Sequence, residues 1–235
     1  MAFWELVPRL VILFPVALVL AAGSDDTARL VKSLTSAAQA FLTAAPSFSA
    51  EETMRYRRAK GGEKWDTGSA VSEYRFEINS GDVHESRKVL RSSGDKELKP
   101  TLNDAGQLLL LFESATIGRY TFRRLRTAYA GPDAADVFGY QQTEGPETLT
   151  VQERQKKFHS KTYGEVWVDR ADYRLLRVTM DTERRGDIRD HIEVDYRYTA
   201  GGAPMPVSAL HREFHAGVVD GETLFTYKPL PNVQR

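Results

Sequence analysis

The chain has 235 residues, 32 basic and 32 acidic side chains, 41% hydrophobic residues and no cysteine. This length suits one domain, and zero net charge argues against a dedicated nucleic-acid binder, which normally carries a basic excess. The lack of cysteine excludes disulfides, thiolate metal sites and a cysteine nucleophile.

The N-terminal residues have the pattern of a secretory signal peptide. An apolar run, Leu10–Leu20, follows Arg9 and precedes the small residues Ala21–Gly23. This run is too short to span a bilayer, which takes about 20 apolar residues. We therefore expect residues 1–22 to be a signal peptide, with an uncleaved N-terminal anchor as the alternative. Residues 23–235 are then expected to form a single domain.

Two segments are predicted to be helical. Asp25–Ala45 carries apolar residues at helical spacing, can be capped by Ser24 or Asp25, and is followed by Pro46. A second, short helix is predicted in the middle of the chain over Leu108–Phe112, because Asn103 and Asp104 just before it are good capping residues.

Most of the remaining chain alternates between apolar and polar residues, which is typical of strands. His191–Tyr198 is the clearest case, and Arg174–Thr182 follows the same rule. About ten such segments are separated by short glycine-containing turns, which favours antiparallel hairpins. The predicted fold class is α+β: a strongly curved antiparallel sheet, or half-barrel, of about ten strands. The N-terminal and mid-chain helices are expected on its concave side.

The region Gly164–Phe214 carries a resemblance to a known family. It reads GEVWVDRADYRLLRVTMDTERRGD, then HIEVDYRY, then PMPVSALHREF, which is a strand, an Asp-containing turn, a leucine-rich strand, another strand and a Pro-containing link. This order resembles the LolA/LolB-like periplasmic lipoprotein carriers. The resemblance implies that an acyl chain or another apolar ligand is held under a helical lid. It implies no catalysis and no cofactor.

The ligand cavity is predicted from the apolar positions of the alternating strands, with Leu108–Phe112 as the lid. The candidate cavity residues are Leu108, Leu110, Phe112, Phe122, Val166, Val178, Ile192, Val194, Tyr196 and Phe214. The expected partner is an apolar small molecule, a lipid or a lipoprotein. No nucleic acid is expected, and the arginines of Arg119–Arg126 leave peripheral contact with anionic lipid headgroups open. With no sequon and no cysteine, a bacterial periplasmic or secreted location fits best.

Two other interpretations stay open from the sequence. An envelope interaction or sensor module could use the same sheet with a filled core. A metal-dependent hydrolase could use His211, Glu213 and His215, which share one face of a strand and are suitable ligand types. The more ordinary interpretation of these three residues is a solvated strand face. We also expect Trp65 and Trp167 in the core or cavity wall, and no nucleotide-binding, zincin or nucleophile-elbow motif is present.

Overall fold

The computed structural model describes residues 17–60, 64–79, 82–94, 105–145, 149–153, 156–184 and 187–230. Helix α1, Ala17–Ala44, confirms the predicted N-terminal helix but begins earlier, so Ser24 and Asp25 lie within it instead of capping it. A short 3-10 helix, η1 (Ala45–Ser47), follows because Pro46 cannot continue the α-helix. Within the described residues, no helix is long and apolar enough to cross a membrane. The predicted cleavage near Ala22 stays a prediction, since residues 1–16 lie outside the described ranges.

Twelve strands make up most of the described chain. They are β1 (Ser49–Ala59), β2 (Trp65–Asn79), β3 (Asp82–Gly94), β4 (Tyr120–Ala130), β5 (Asp133–Gln142), β6 (Leu149–Glu153), β7 (Lys156–Ser160), β8 (Tyr163–Asp169), β9 (Leu175–Arg184), β10 (Ile188–Tyr198), β11 (Pro204–His215) and β12 (Val218–Pro229). Ten of them form one antiparallel sheet in the order β3-β2-β1-β12-β11-β10-β9-β8-β5-β4, and β6 and β7 form a separate hairpin. The predicted antiparallel sheet of about ten strands is confirmed.

The predicted mid-chain helix is present as a 3-10 helix. This helix, η2, spans Ala105–Phe112, and a single further turn, η3 (Ile117–Arg119), leads into β4. The expected capping residues Asn103 and Asp104 lie outside the described residues. Because a 3-10 helix has poorer hydrogen-bond geometry than an α-helix, η2 depends on its packing against the sheet.

The large sheet curves around α1. Near one end of the helix, Asp26 pairs with Arg124 of β4 (3.2 Å), and near the other, Phe41 packs edge-on against Phe76 of β2 (5.0 Å between ring centroids). The helix rises only about 22 Å between Asp26 and Phe41. In a flat sheet β2 and β4, eight strands apart in order, would be separated by about 38 Å. The sheet therefore bends into a half-barrel whose strand order ends at β3 and β4.

The apolar face of the sheet lies on the side of the helices, which we call the inner face. On β10, Ile192, Val194 and Tyr196 point to this face and are buried. On α1 the buried residues recur every three or four positions, from Leu30 and Leu34 to Phe41. The inner face, α1 and η2 share one hydrophobic core.

Candidate apolar ligand site

The structure brings most of the predicted cavity residues together in the core that the sheet shares with α1 and η2. Seven are buried in the shared core: Leu108, Phe112, Val166, Val178, Ile192, Val194 and Tyr196. Leu110 and Phe122 are partly buried and pack against its edge. The alternation of β8, β9 and β10 therefore predicted which face of these strands is apolar and covered.

Phe214 does not join this group. On β11, past the bulge opposite Asp195 and Tyr196, the odd-numbered residues face inward, since Ala209 is buried and pairs with Val194. Phe214 pairs instead with Arg189, whose guanidinium lies 4.5 Å from the centre of the phenyl ring on the outer face. The polar residue His211 takes an inward position on β11, so the apolar pattern alone assigns the wrong face to this strand.

The three residues considered as metal ligands also separate. His211 is buried, not solvated, and its Nε2 lies 2.8 Å from Oδ1 of Asp190 on β10. Glu213 lies near Arg58 (3.8 Å), and His215 is exposed at the end of β11. No group of three or more His, Cys, Asp or Glu side chains that could hold a metal ion occurs in the described part of the chain. The structure gives the hydrolase interpretation no support.

The 3-10 helix η2 contacts the inner face through a hydrogen bond and through aromatic packing. The Leu109 amide donates to the Tyr196 hydroxyl (3.1 Å), and burial raises the pKa of that hydroxyl, which keeps it protonated. Phe112 packs against the rings of Tyr120, Phe122 and Tyr140 at 5.1–5.9 Å between centroids. Within η2, the side chains of Leu109 and Phe112 are fully buried against the sheet.

The N-terminal half of α1 is held by polar contacts to the turn between β8 and β9. Tyr173 in this turn has a φ of +63°, donates its hydroxyl to Asp26 (3.1 Å) and accepts at its carbonyl from Ser33 Oγ (2.5 Å). The guanidinium of Arg29 stacks on the Tyr173 ring at 4.0 Å. These contacts fix α1 over β4 and β9, whereas Phe41 fixes its other end through apolar packing.

A buried ionic cluster lies on the inner face near the β3 edge, and sequence reasoning missed it. Arg87 of β3 donates through Nε to both carboxylate oxygens of Glu52 (2.9 and 3.0 Å) and through Nη2 to Glu85 (2.5 Å). The Glu52 and Glu85 side chains are 1% and 0% exposed, and that of Arg87 is 14% exposed. Burial alone lowers the pKa of Arg87, but Glu85 and Glu52 outweigh burial and raise it. The sequence signal was Glu52 itself, at an inward position between Ala50 and Met54.

Two buried tyrosine hydroxyls next to this cluster donate no hydrogen bond within the described residues. Tyr74 and Tyr227 are buried with ring centroids 4.8 Å apart, and Arg87 lies 5.1 Å from the Tyr74 ring. Neither hydroxyl donates a hydrogen bond to a described residue, although Arg87 lies close enough to the Tyr227 hydroxyl to act on its oxygen as a donor. A buried polar group left in this state costs about 1–3 kcal/mol of stability.

The outer face carries paired charges and the tryptophans. Trp167 lies between Arg126 (5.4 Å) and Arg177 (5.1 Å), and Glu165 accepts two hydrogen bonds from Arg126. Trp65 is 37% exposed. The expectation that both tryptophans belong to the core or cavity wall is therefore wrong, because arginine stacking on this face shields their rings instead.

An open groove with a cavity volume of about 580 Å³ also lies on the outer face, between β4, β5 and β8. Gly139 forms its floor, and Thr121, Arg123, Leu125 and Gln141 line its sides. Leu125 leans across the floor, so that a Cβ at Gly139 would lie 3.2 Å from it. Phe122 and Tyr140, whose side chains join the core, also border this groove.

Replacing Glu165 by glutamine should lower the melting temperature slightly at pH 7. Hydrogen bonding by Arg126, and then by Trp167, lowers the pKa of this carboxyl below its ordinary value. The stabilisation is therefore present above the ordinary carboxyl pKa and is lost as pH falls through the lowered value. Because the pair is half exposed, we expect at most about 1 kcal/mol. Thermal unfolding at pH 7 and pH 3 checks this, and an unchanged difference at both pH values would contradict it.

Comparison with known proteins gives solved structures only. No family model matches the chain, and no curated protein matches it. A LolA superfamily protein from Nitrosomonas europaea is 11% identical, with a TM-score of 0.36 over 86% of this chain and 94% of that one. A DUF1329 family protein from Desulfovibrio piger is 11% identical, with a TM-score of 0.45 over 87% and 94%. The lipoprotein LppX from Mycobacterium tuberculosis is 10% identical, with a TM-score of 0.34 over 88% and 99%. One of these structures is named for the superfamily that the sequence resembles.

Proposed function

We propose that this chain is a non-enzymatic protein of the bacterial cell envelope that binds a lipid, a lipoprotein acyl chain or another apolar ligand beneath α1 and η2. One observation carries the proposal. The apolar inner face of an open, curved sheet is covered in its middle by a short 3-10 segment containing four consecutive leucines. Four consecutive leucines place apolar side chains around this 3-10 helix. Leu109 is fully buried, whereas Leu110 and Leu111 are only partly buried, so apolar surface remains on the outer side of the segment.

Ligand binding on this scheme exchanges one set of apolar contacts for another. In the structure, Leu109 and Phe112 fill the space over the inner face, and displacing each costs about 1.5–3 kcal/mol of burial. An acyl chain that buries about ten methylenes contributes about 8 kcal/mol. The exchange is therefore favourable for a long chain and unfavourable for a short one.

The sequence supports the proposed location through its N-terminal segment and the proposed partner through its charge balance. We propose that residues 1–22 direct the chain to the periplasm or the exterior, either as a cleaved leader or as a retained anchor. The equal numbers of basic and acidic side chains give no general attraction to nucleic acid. The partner is a lipid or lipoprotein, and no cofactor is required.

The filled-core interaction module remains the second candidate, because α1 and η2 do pack the inner face in this structure. This candidate predicts that a protein partner, and no lipid, accompanies the chain from envelope extracts. Parallel pull-down and lipid extraction of the same preparation separate the two candidates.

Lipid extraction of protein purified from a bacterial envelope without detergent tests the proposed function. Mass spectrometry should detect a bound acyl species close to one per chain. Replacing Leu109 by alanine weakens the lid and should speed the exchange of a bound fluorescent acyl probe about tenfold. Leu224→Ala, on the half-exposed outer face of β12, is the matched control and should leave exchange unchanged. A lipid-free protein that also fails to bind the probe would refute the proposal.

A further inference from the structure

The ionic cluster and the two unused hydroxyls lie side by side on the inner face. The strand register pairs Tyr74 with Arg87 across β2 and β3, and Tyr227 with Glu52 across β12 and β1. The centroids of Tyr74 and Tyr227 are 4.8 Å apart, and Arg87 contacts the ring of Tyr74. Two hydroxyls and three charged groups therefore share one small region of the otherwise apolar interior.

The hydroxyls differ from the other buried tyrosines of the core. The Tyr140 hydroxyl donates to the Thr179 carbonyl (2.8 Å), and that of Tyr196 accepts from the Leu109 amide (3.1 Å). Tyr74 and Tyr227 are equally buried, but neither hydroxyl donates a hydrogen bond within the described chain, and the approach of Arg87 to the Tyr227 oxygen leaves that O–H free to donate. Two donors are thus left available for a group that is not part of the fold.

The charges around the hydroxyls select the kind of group that they can bind. Burial, and then Glu85, raises the pKa of both Tyr74 and Tyr227, so both hydroxyls stay protonated and act as donors. The carboxylates of Glu52 and Glu85 repel a second anion, and they already accept hydrogen bonds from Arg87. A neutral acceptor is therefore favoured over a free carboxylate.

We propose that Tyr74 and Tyr227 donate hydrogen bonds to the ester or amide carbonyl of a neutral acyl lipid. This inference rests on the proposed function, and it names the class of lipid and the position of its polar end. The phenyl rings of Phe48, Phe76 and Phe225 line the same region and offer apolar contact to the adjoining chain. The site is close to solvent, because β3 is an edge strand and the Arg87 side chain is 14% exposed.

Three probes distinguish this site from general apolar binding: monopalmitoylglycerol as a neutral ester, palmitate as the matching anion, and N-phenyl-1-naphthylamine as an apolar dye. The wild-type chain should bind the ester more tightly than palmitate. In the double variant Tyr74→Phe/Tyr227→Phe the affinity for the ester should fall about tenfold or more, since two neutral hydrogen bonds are lost. Affinity for the dye should be unchanged.

Tyr140→Phe is the matched control, since it removes a buried hydroxyl that already has a partner. It should lower the melting temperature and leave the preference for the ester unchanged. The single variant Tyr74→Phe should melt no lower than the wild type, because the Tyr74 hydroxyl makes no hydrogen bond in the free protein.

The outcomes separate the two proposals. If the dye and the ester bind but the double variant keeps the full affinity for the ester, the hydroxyls serve only internal water and the inference is overturned while the proposed function stands. The inference is also overturned if Tyr140→Phe loses as much ester affinity as the double variant. If neither the dye nor any lipid binds the wild type, the proposed function itself is refuted.

Discussion

The Arg87→Met variant should lose about 3–5 kcal/mol of unfolding free energy at pH 7, because it leaves two buried carboxylates without their cation. Glu52 and Glu85 are 1% and 0% exposed, and Arg87 hydrogen-bonds both. Methionine fills much of the same volume, so the loss reports the uncompensated charge and not a cavity.

Urea denaturation at pH 7 measures this effect. Arg75→Met is the matched control, because Arg75 pairs with Glu73 on the outer face and both side chains are about one-third or more exposed. Its loss should stay below about 1 kcal/mol. The double variant Arg87→Met/Glu52→Gln should recover part of the stability. A loss for Arg87→Met no greater than that for Arg75→Met would show that the cluster is not buried as described.

Phe112→Ala should have the second largest effect, about 3 kcal/mol of unfolding free energy together with increased binding of an apolar dye. Phe112 is fully buried and contacts the rings of Tyr120, Phe122 and Tyr140, and its removal leaves a cavity over the inner face. It also removes the main anchor of η2, so the lid should open more often.

Phe122→Ala provides the comparison for this variant. Phe122 belongs to the same aromatic group but is only partly buried and lies on β4, not on the lid. We expect about half the loss of stability and little change in dye binding. Equal dye binding in both variants would contradict the role of η2 as the movable cover.

The sequence predicted the inner face well where the polar and apolar residues alternate cleanly. In β10 the apolar residues Ile192, Val194 and Tyr196 all lie on the covered side, and the acidic residues Glu193 and Asp195 lie on the other. Burial of one face fixes the register of such a strand, so the alternation of its residues indicates which side chains face the core. The mid-chain helix was predicted on other grounds, from the capping residues before Leu108–Phe112, and the structure has this segment within a 3-10 helix.

Prediction was poorer where charged or polar groups face inward. His211 is buried and contacts Asp190, which is 21 residues away along the chain. Because a polar residue takes this inward position, the apolar pattern of β11 assigned Phe214 to the wrong face of the sheet. Glu52 and Arg87 meet across β1, β2 and β3 although 35 residues separate them. Such pairs depend on strand order and register, which no local pattern contains. The proposed carbonyl-binding site at Tyr74 and Tyr227 could therefore not be predicted from the sequence.

Photo-crosslinking with a monoacylglycerol that carries a diazirine in its acyl chain tests the central claim most directly, because it shows where a lipid lies. After irradiation of the wild-type chain, peptide mass spectrometry should place the label on the inner face, on Leu108–Phe112 and on the inward residues of β9 and β10 such as Val178 and Val194. Unlabelled monopalmitoylglycerol should compete the label away. A label confined to the outer face, or one that the competitor does not reduce, would contradict an apolar ligand site beneath α1 and η2.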